Sequence, residues 1–488
     1  MTQISVSHLT FSYESNFDPI FEDVSFQIDT DWKLGFTGRN GRGKTTFLNL
    51  LLGKYEYAGS ISASVSFDYF PYEVESGNSQ TIDVLKQIQP DFALWKIQRE
   101  FAILGLGDYL LYKPFRTLSK GEQTKILLAV LFLKENYFLL IDEPTNHLDQ
   151  DGRRTVSKYL RTKKGFILVS HDRAFLDGCI DHILSINKEN IEIQQGNFSS
   201  WYLNKQRQDA YELAENERLK KDVARLTAAS RRTSRWSDKV EATRVGTHPA
   251  DRGYIGHKSA KMMKRSKNIE GRRQAAVENK AKLLQNIENA DTLKIVQQPY
   301  HANRLASLDD ISVSYDGRIV CSGVSFTIER GDRIALSGKN GSGKSSIVKL
   351  ILGESIPYAG RFQKGSNLII SYVSQDTSDL SGDLTSYATR HGLDVSIFKA
   401  MLRKLDFSRV QFEKDIRDFS GGQKKKVLIA RSVSERSNLL LWDEPLNYVD
   451  IISRIQIEEL LLAYSPTILF VEHDSAFCER IATKRVTL

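Results

Sequence analysis

The 488 residues suffice for two or three domains, each with its own core, and the chain carries a formal charge of +8. No apolar run approaches the roughly 20 residues that span a bilayer. No secretory leader precedes the strand-like Ile4–Phe11, so membrane-spanning and exported classes are set aside. Cys179, Cys321 and Cys478 lie far apart without metal-site spacing; they read as reduced thiols, which excludes zinc and iron–sulfur modules and suits a cytosolic protein.

In chain order, Tyr13 follows the opening strand, and the next informative segment is Gly38-Arg39-Asn40-Gly41-Arg42-Gly43-Lys44-Thr45, continued by Thr46. It fits G-x-x-x-x-G-K-[ST], a strand-to-helix loop whose backbone N–H groups cradle phosphates. In that loop the Lys reaches the β/γ-phosphates and the Ser/Thr hydroxyl serves Mg²⁺. Further on come Ser119-Lys120-Gly121-Glu122, then the apolar run Tyr137–Ile141 ending in Asp142-Glu143, then a second run, Phe166–Ser170, ending in His171. Such runs predict buried parallel strands that deliver acids to the carboxyl edge of a sheet.

Residues 199–298 differ in composition. They hold 22 Lys and Arg against 12 Asp and Glu, a net charge of +10, which leaves −2 for the rest of the chain. Tyr211, Ala214, Arg218, Lys221 and Leu226 share one helical spacing, and Val277, Ala281, Leu284 and Ile287 share another. Gly246, Pro249, Gly253 and Gly256 predict a loop near 240–257, so the segment reads as an antiparallel helical hairpin with a cationic tip. Its densest charge, Arg225 to Arg273, has the electrostatic footprint of a nucleic-acid binder; the alternative is a solvated coiled coil joining two domains.

After Pro299 the first pattern returns. A strand is predicted from Leu308 to Tyr315. The loop Gly338-Lys339-Asn340-Gly341-Ser342-Gly343-Lys344-Ser345 follows, continued by Ser346. Gln375, then Ser420-Gly421-Gly422-Gln423, Asp443-Glu444 after Leu439–Trp442, and His473 after Ile468–Glu472 complete it. Lys44 stands 98 positions before Asp142 and Lys344 stands 99 before Asp443; each signature serine stands 23 before its Asp. The repeat unit is a whole domain. The expected boundaries are 1–198, 199–298 and 299–488.

The ordered set of phosphate loop, Ser-Gly-Gly-Gln/Glu signature, Asp-Glu pair and terminal histidine resembles the ABC-type ATPase domain. The fused pair with a charged linker is similar to the ABC-F family of ribosome-associated ATPases. Asp443-Glu444-Pro445-Leu446-Asn447-Tyr448 and Met263-Lys264-Arg265-Ser266-Lys267 look most like its Lsa-type antibiotic-resistance branch. The resemblance implies an α/β fold with two ABC-type ATP-binding domains joined by a long α-helical hairpin linker. It implies ATP and Mg²⁺ as cofactors, with Thr45, Asp142, Ser345, Gln375 and Asp443 near the metal. Glu143 and Glu444 would orient the attacking water, and His171 and His473 would sense the γ-phosphate.

Family sites are composite, each loop facing the other domain's signature. ATP would thus meet Gly38, Arg39, Asn40, Gly41, Gly43, Lys44, Thr45 and Thr46 with Ser420, Gly421, Gly422 and Gln423. A second ATP would meet Gly338, Asn340, Gly341, Ser342, Gly343, Lys344, Ser345, Ser346 and Gln375 with Ser119, Gly121 and Glu122. Tyr13 and Tyr315 either stack on adenine or pack as strand aromatics. Two departures predict unequal sites: Lys120 replaces the first signature glycine, and Tyr72 stands where the second domain has Gln375. With 46 positions from Tyr72 to Leu118 and 44 from Gln375 to Phe419, no inserted arm is expected.

By the same resemblance the partner is the 70S ribosome, with the linker near P-site tRNA and 23S rRNA of the peptidyl-transferase centre. The contacts would be Lys239, Arg244, Lys258, Lys261, Lys264, Arg265 and Lys267. The implied function is cytoplasmic protection of the ribosome from lincosamides, streptogramin A and pleuromutilins by a monomer whose two ATP domains pair intramolecularly. A housekeeping factor for stalled ribosomes and, less well supported, a transporter ATPase subunit or DNA-repair ATPase stay open.

Overall fold

The computed structural model describes residues 3–13, 19–74, 77–146, 148–187, 190–242, 249–283, 295, 297–315, 318–339 and 341–488. Asn340 and Arg244 lie outside the described residues. The chain forms two compact units, Met1–Ser199 with Ala290–Leu488, and Ser200–Asn289.

The first unit contains the α/β repeat twice. In the first copy a six-stranded sheet runs in the order Ser66–Phe70, Tyr137–Asp142, Phe166–Val169, Lys33–Gly38, His182–Ile186, Ile191–Gln195, parallel except for the last strand. In the second copy the order is Ile370–Val373, Leu439–Asp443, Ile468–Val471, Arg333–Ser337, Lys484–Thr487, all parallel. Each copy adds a three-stranded antiparallel sheet, led by Gln3–Phe11 and Arg304–Tyr315. The latter strand begins four residues before the apolar pattern that predicts it.

Alternation along the strands divides each parallel sheet between two cores. In the second copy Leu439, Leu441, Leu469 and Val471 pack with the antiparallel sheet and the phosphate-loop helix. Leu440, Trp442, Ile468 and Phe470 pack with the helices on the other face. Both faces are covered over the interior strands, so Leu439–Trp442 and Ile468–Val471 are apolar at every position, as a parallel sheet requires. The phosphate loop leaves the carboxyl end of an interior strand, where open α/β sheets bind ligands.

The second unit holds the helix Phe198–Ala242, of 45 residues, from Ser200 onward, and all of the helix Pro249–Leu283, of 35. Helix thus covers 240–242 and 249–257 of the expected loop, and Gly246 lies outside the described residues. Pro249 begins a helix, where its missing N–H costs nothing. Gly253 and Gly256 lie inside that helix, each costing about 1 kcal/mol against Ala. Lys239, Lys258, Lys261, Lys264, Arg265 and Lys267 are exposed. Lys261, Lys264 and Arg265, spaced i, i+3 and i+4, share one helix face. Among the described residues no helix is long and apolar enough to cross a membrane.

Candidate functional site

Each phosphate loop ends in a glycine that caps its helix with left-handed backbone: Gly43 at φ 92° before Lys44–Leu51, and Gly343 at φ 89° before Lys344–Leu352. A Cβ on Gly43 would also stand 2.5 Å from Ile20 Cγ2, so both conformation and space demand glycine. The first backbone N–H groups of these helices have no intrahelical partner and favour an anion. Lys44 Nζ donates to the Gly38 and Arg39 carbonyls at 2.7 and 3.2 Å, and Lys344 Nζ to those of Gly338 and Lys339 at 3.0 and 2.8 Å. Both lysines are buried, which lowers their pKa values. Thr46 Oγ1 lies 2.9 Å from Tyr13 Oη, and Ser346 Oγ accepts from Tyr315 Oη at 3.2 Å. The two tyrosines are thus fastened to the loops.

The carboxylates sit at the ends of Tyr137–Asp142 and Leu439–Asp443, in each sheet one strand removed from the strand that leads into the phosphate loop. Asp142 Oδ2 accepts from Thr45 Oγ1 at 3.3 Å and from Tyr69 Oη at 3.1 Å. In the second copy the buried Oδ1 of Asp443 has no hydrogen-bond partner among the described residues. Burial raises the pKa of both aspartates, against the lowering effect of the Ser345 hydroxyl on Asp443. Glu143 and Glu444 hold left-handed backbone, φ 50° and 48°, although neither is glycine. Strain of this kind costs on the order of 1–3 kcal/mol and clusters at functional sites. His171 Nε2 lies 3.3 Å from Glu143 Oε1, and His473 Nε2 lies 3.4 Å from Glu444 Oε1.

The two glutamates differ in their surroundings. Glu444 Oε2 accepts from Gln375 Nε2 at 2.8 Å and Asn447 Nδ2 at 2.7 Å. Burial would raise its pKa, but hydrogen bonds from His473 and Asn447 and the charge of Lys425 outweigh burial and hold it below the usual range. Tyr72 offers Glu143 no such amide. Burial first, and the neighbouring Asp142 charge second, push Glu143 up to about 8. Burial, with Lys44 and Arg454 nearby, depresses the His171 pKa well below its ordinary value.

Residues of both copies line each cavity. One of about 1170 Å³ is bounded by Tyr13, Asn40, Gly41, Gly43, Lys44, Thr45, Thr46, Asp142, Glu143 and His171 from the first copy and by Ser420, Gly421 and Gly422 from the second. Gly422 packs so closely that a Cβ there would stand 2.2 Å from the Tyr448 carbonyl oxygen and 2.9 Å from Asn40 Nδ2. A second cavity, about 490 Å³, joins Gly341, Gly343, Lys344, Ser345, Ser346, Gln375, Glu444 and His473 to Lys120 of the first copy. The buried Arg39 side chain faces Asp406 of the second copy at 3.8 Å, while its carbonyl holds Lys44. Ser342 Oγ is buried beside Gly338.

Ser119, Gly121, Glu122 and Gln423 are not among the residues that line the two cavities. Glu122 and Gln423 turn back to the N–H groups of Ser119 and Ser420, at 2.8 and 2.9 Å, as capping boxes. They shape the start of the signature helices. Lys120 is exposed at the first position of its helix. A Cβ at the matching Gly421 meets nothing nearer than Tyr448 Cδ2 at 3.6 Å, and Lys120 Nζ donates to Gln123 Oε1 at 3.3 Å. It lines the larger cavity as well as the smaller. Tyr69 and Lys425 carry no motif signal, because burial and contacts distant in sequence, not local spacing, bring them to the site.

Both copies match the family model described as ABC transporter, over residues 21–146 and 321–447. The ribosome protection protein VmlR of Bacillus subtilis is 27% identical over 98% of this chain and 85% of its own length. The ATP-binding protein Uup of Caulobacter vibrioides is 29% identical over 96% of this chain and 75% of its own. Among solved structures, the fold is similar to the archaeal ribosome recycling factor aABCE1 in its complex with the ribosomal stalk protein aP1. The TM-score is 0.65 at 17% identity, covering 98% of this chain and 87% of that one. An RNase-L inhibitor matches at TM-score 0.61 and 18% identity, over 93% of this chain and 83% of its own. The duplicated loop, signature and Asp-Glu elements lie within or close to two matched segments that span more than half the chain, which therefore belongs to the ABC transporter family as a tandem ABC-type ATPase.

Proposed function

We propose that this chain is an ABC-F ATPase of the cytoplasm that works on the ribosome, using ATP binding and hydrolysis to engage and release it. The observation that carries the reading is the basic helical unit, net charge +10 across 199–298, set between two ATP domains that are otherwise slightly acidic. Similarity to VmlR, a ribosome protection protein, over nearly the whole chain supports it. The linker would approach P-site tRNA and 23S rRNA near the peptidyl-transferase centre. It would thereby promote release of lincosamides, streptogramin A and pleuromutilins. Uup, named only as an ATP-binding protein, keeps the housekeeping reading beside this one.

In hydrolysis, phosphoryl transfer to water rests on positioning and charge neutralisation. The backbone of residues 38–45 and 338–345, with Lys44 and Lys344, would hold the β/γ-phosphates. Glu143 and Glu444 would orient the water and accept its proton at a carboxylate oxygen, and His171 and His473 would sense the γ-phosphate. The signature helices beginning at Ser119 and Ser420 would close the opposite side.

The donors beside each loop suit Mg²⁺, which takes hard oxygen ligands. Thr45 Oγ1 and Asp142 Oδ2 lie 3.3 Å apart, and Asp443 Oδ1 is buried without a partner among the described residues. Thr45, Asp142, Ser345, Asp443 and Gln375 are the groups that would hold the ion. Bound there, it would supply charge neutralisation on the phosphate oxygens.

Co-sedimentation with 70S ribosomes tests the reading. Binding should require ATP and fall steeply with salt, because each phosphate contact releases counterions. Replacing Lys261, Lys264, Arg265 and Lys267 with Glu should weaken it several-fold and flatten the salt slope. Ribosome binding equal to that of the unaltered protein would remove the helical unit from the interface. Growth in lincosamide separates protection from housekeeping: a chain with residues 243–248 replaced by a Gly/Ser turn should lose protection.

A further inference from the structure

Lys425 is a lysine with 2% of its surface exposed, and the ATP-binding roles above do not use it. It lies on the signature helix Gly421–Ser434 of the second copy, five residues beyond Ser420. Its Nζ donates to the carbonyl of Ser374 at 2.8 Å. Ser374 immediately precedes Gln375, whose Nε2 donates to Glu444 Oε2. Ser374 Oγ donates in turn to the Asp376 carbonyl at 2.5 Å, so both backbone flanks of Gln375 are tied down. A buried ammonium is costly to keep, and removing its partner costs more than an exposed pair ever contributes. Such a cation at the base of a segment that ends on Glu444 calls for a role.

The first copy lacks each part of this chain of contacts. Thr124 stands where Lys425 stands, Pro71 where Ser374 stands, and Tyr72 where Gln375 stands. Tyr72 is 36% exposed. Glu143 Oε1, buried, has no hydrogen-bond partner among the described residues.

We propose that Lys425 is a positioning residue for ATP hydrolysis at the site built on Lys344, where it anchors the Ser374 carbonyl and thereby sets Gln375 against Glu444. The site built on Lys44, without this relay, is the slower of the two. The inference rests on Glu444 being the water-orienting carboxylate of its site.

Steady-state turnover of the full chain in the Glu143→Gln background isolates the Lys344 site. There Lys425→Met, of similar length without a donor, should lower kcat on the order of 10-fold, as sub-ångström misplacement does. KM for ATP should move less than about twofold, since the phosphate loop keeps its own contacts. Lys425→Arg should recover most of the loss. The deciding measurement is the double variant with Gln375→Ala. If Lys425 acts through Gln375, the double loses no more than Gln375→Ala alone; a purely structural lysine gives additive losses, and additivity overturns the proposal.

Should Lys425→Met fail to give folded protein, Lys425→Gln, shorter but still a donor, is placed in the same cycle and read the same way. Glu444→Gln in the same background keeps the two levels apart. Unchanged turnover there refutes the assignment of Glu444. Loss there with additive Lys425 and Gln375 effects refutes only the relay.

Discussion

Asn40 Nδ2 donates to the carbonyl oxygen of Tyr448 at 2.7 Å, tying the phosphate loop of one ABC domain to the segment after the Asp-Glu pair of the other. Tyr448 holds left-handed backbone at φ 64°, and Gly422 lies under its carbonyl. Closure of the larger cavity therefore depends on a backbone approach that leaves no room for a methyl group.

Gly422→Ala follows directly. The added Cβ must displace the Tyr448 carbonyl and Asn40, so the signature helix withdraws from the loop. Turnover should fall on the order of 100-fold, the cost of a shift of about 1 Å at a reacting centre. Because the glycine lies at a domain boundary and not in a core, Tm should change by only a few degrees. ATPase rates and a thermal melt of the same preparation check both numbers.

Glu143→Gln combined with Glu444→Gln removes both carboxylate bases while keeping their shape. Hydrolysis should drop by on the order of 10²–10⁴, with ATP still bound. The variant should accumulate on ribosomes in ATP. Filter binding of labelled nucleotide and phosphate release distinguish this from loss of the nucleotide itself.

Lys120→Gly should alter turnover at both sites. The sequence argument confines Lys120 to the site on Lys344, but its side chain lines both cavities. Measuring Lys120→Gly in the Glu143→Gln and the Glu444→Gln backgrounds resolves the two effects. A change in one background alone would return the lysine to a single site.

Asp450 provides the pH dependence. It is fully buried, its Oδ2 accepts from Lys426 Nζ at 2.7 Å and its Oδ1 caps the helix Ile451–Tyr464. Burial opposes its ionisation, but the Lys426 charge and hydrogen bond, with the Ser453 N–H, hold its pKa far below the usual carboxylate range. A depressed folded pKa contributes stability that is complete above the unfolded value near 4. That stability is lost as pH falls below it. Asp450→Asn should cost about 3–5 kcal/mol near neutrality, by stranding Lys426. Its stability should also vary less with pH on the acid side, which denaturant titrations at stepped pH would show.

The elements legible in the sequence are those whose chemistry is local. Phosphate loops, Asp-Glu pairs and strand-end histidines are contiguous, and Asp142 meets Thr45 as the family resemblance implies. The α/β character followed from apolar runs that both sheet faces bury. Other features looked identical to something else. Pro249 reads as a loop breaker or as the first residue of a helix, and only the fold chooses. Glu122 and Gln423 fit both a ligand contact and a capping box, and the fold shows the capping box in each copy. Lys425 sits in a run of three lysines that reads as solvated surface; two of the three are buried because the helix turns them toward Ser374 and Asp450.

That each cavity draws its walls from both copies has an evolutionary consequence. A product carrying one copy alone would own no complete site and would have to pair with its twin, which forces two identical cavities. Joining the copies in one polypeptide lifts that constraint, since a change in either half now enters each cavity in a different role. Thr124 against Lys425, Tyr72 against Gln375 and Lys120 against Gly421 are differences a self-paired ancestor could not hold. In one polypeptide the two cavities are free to differ.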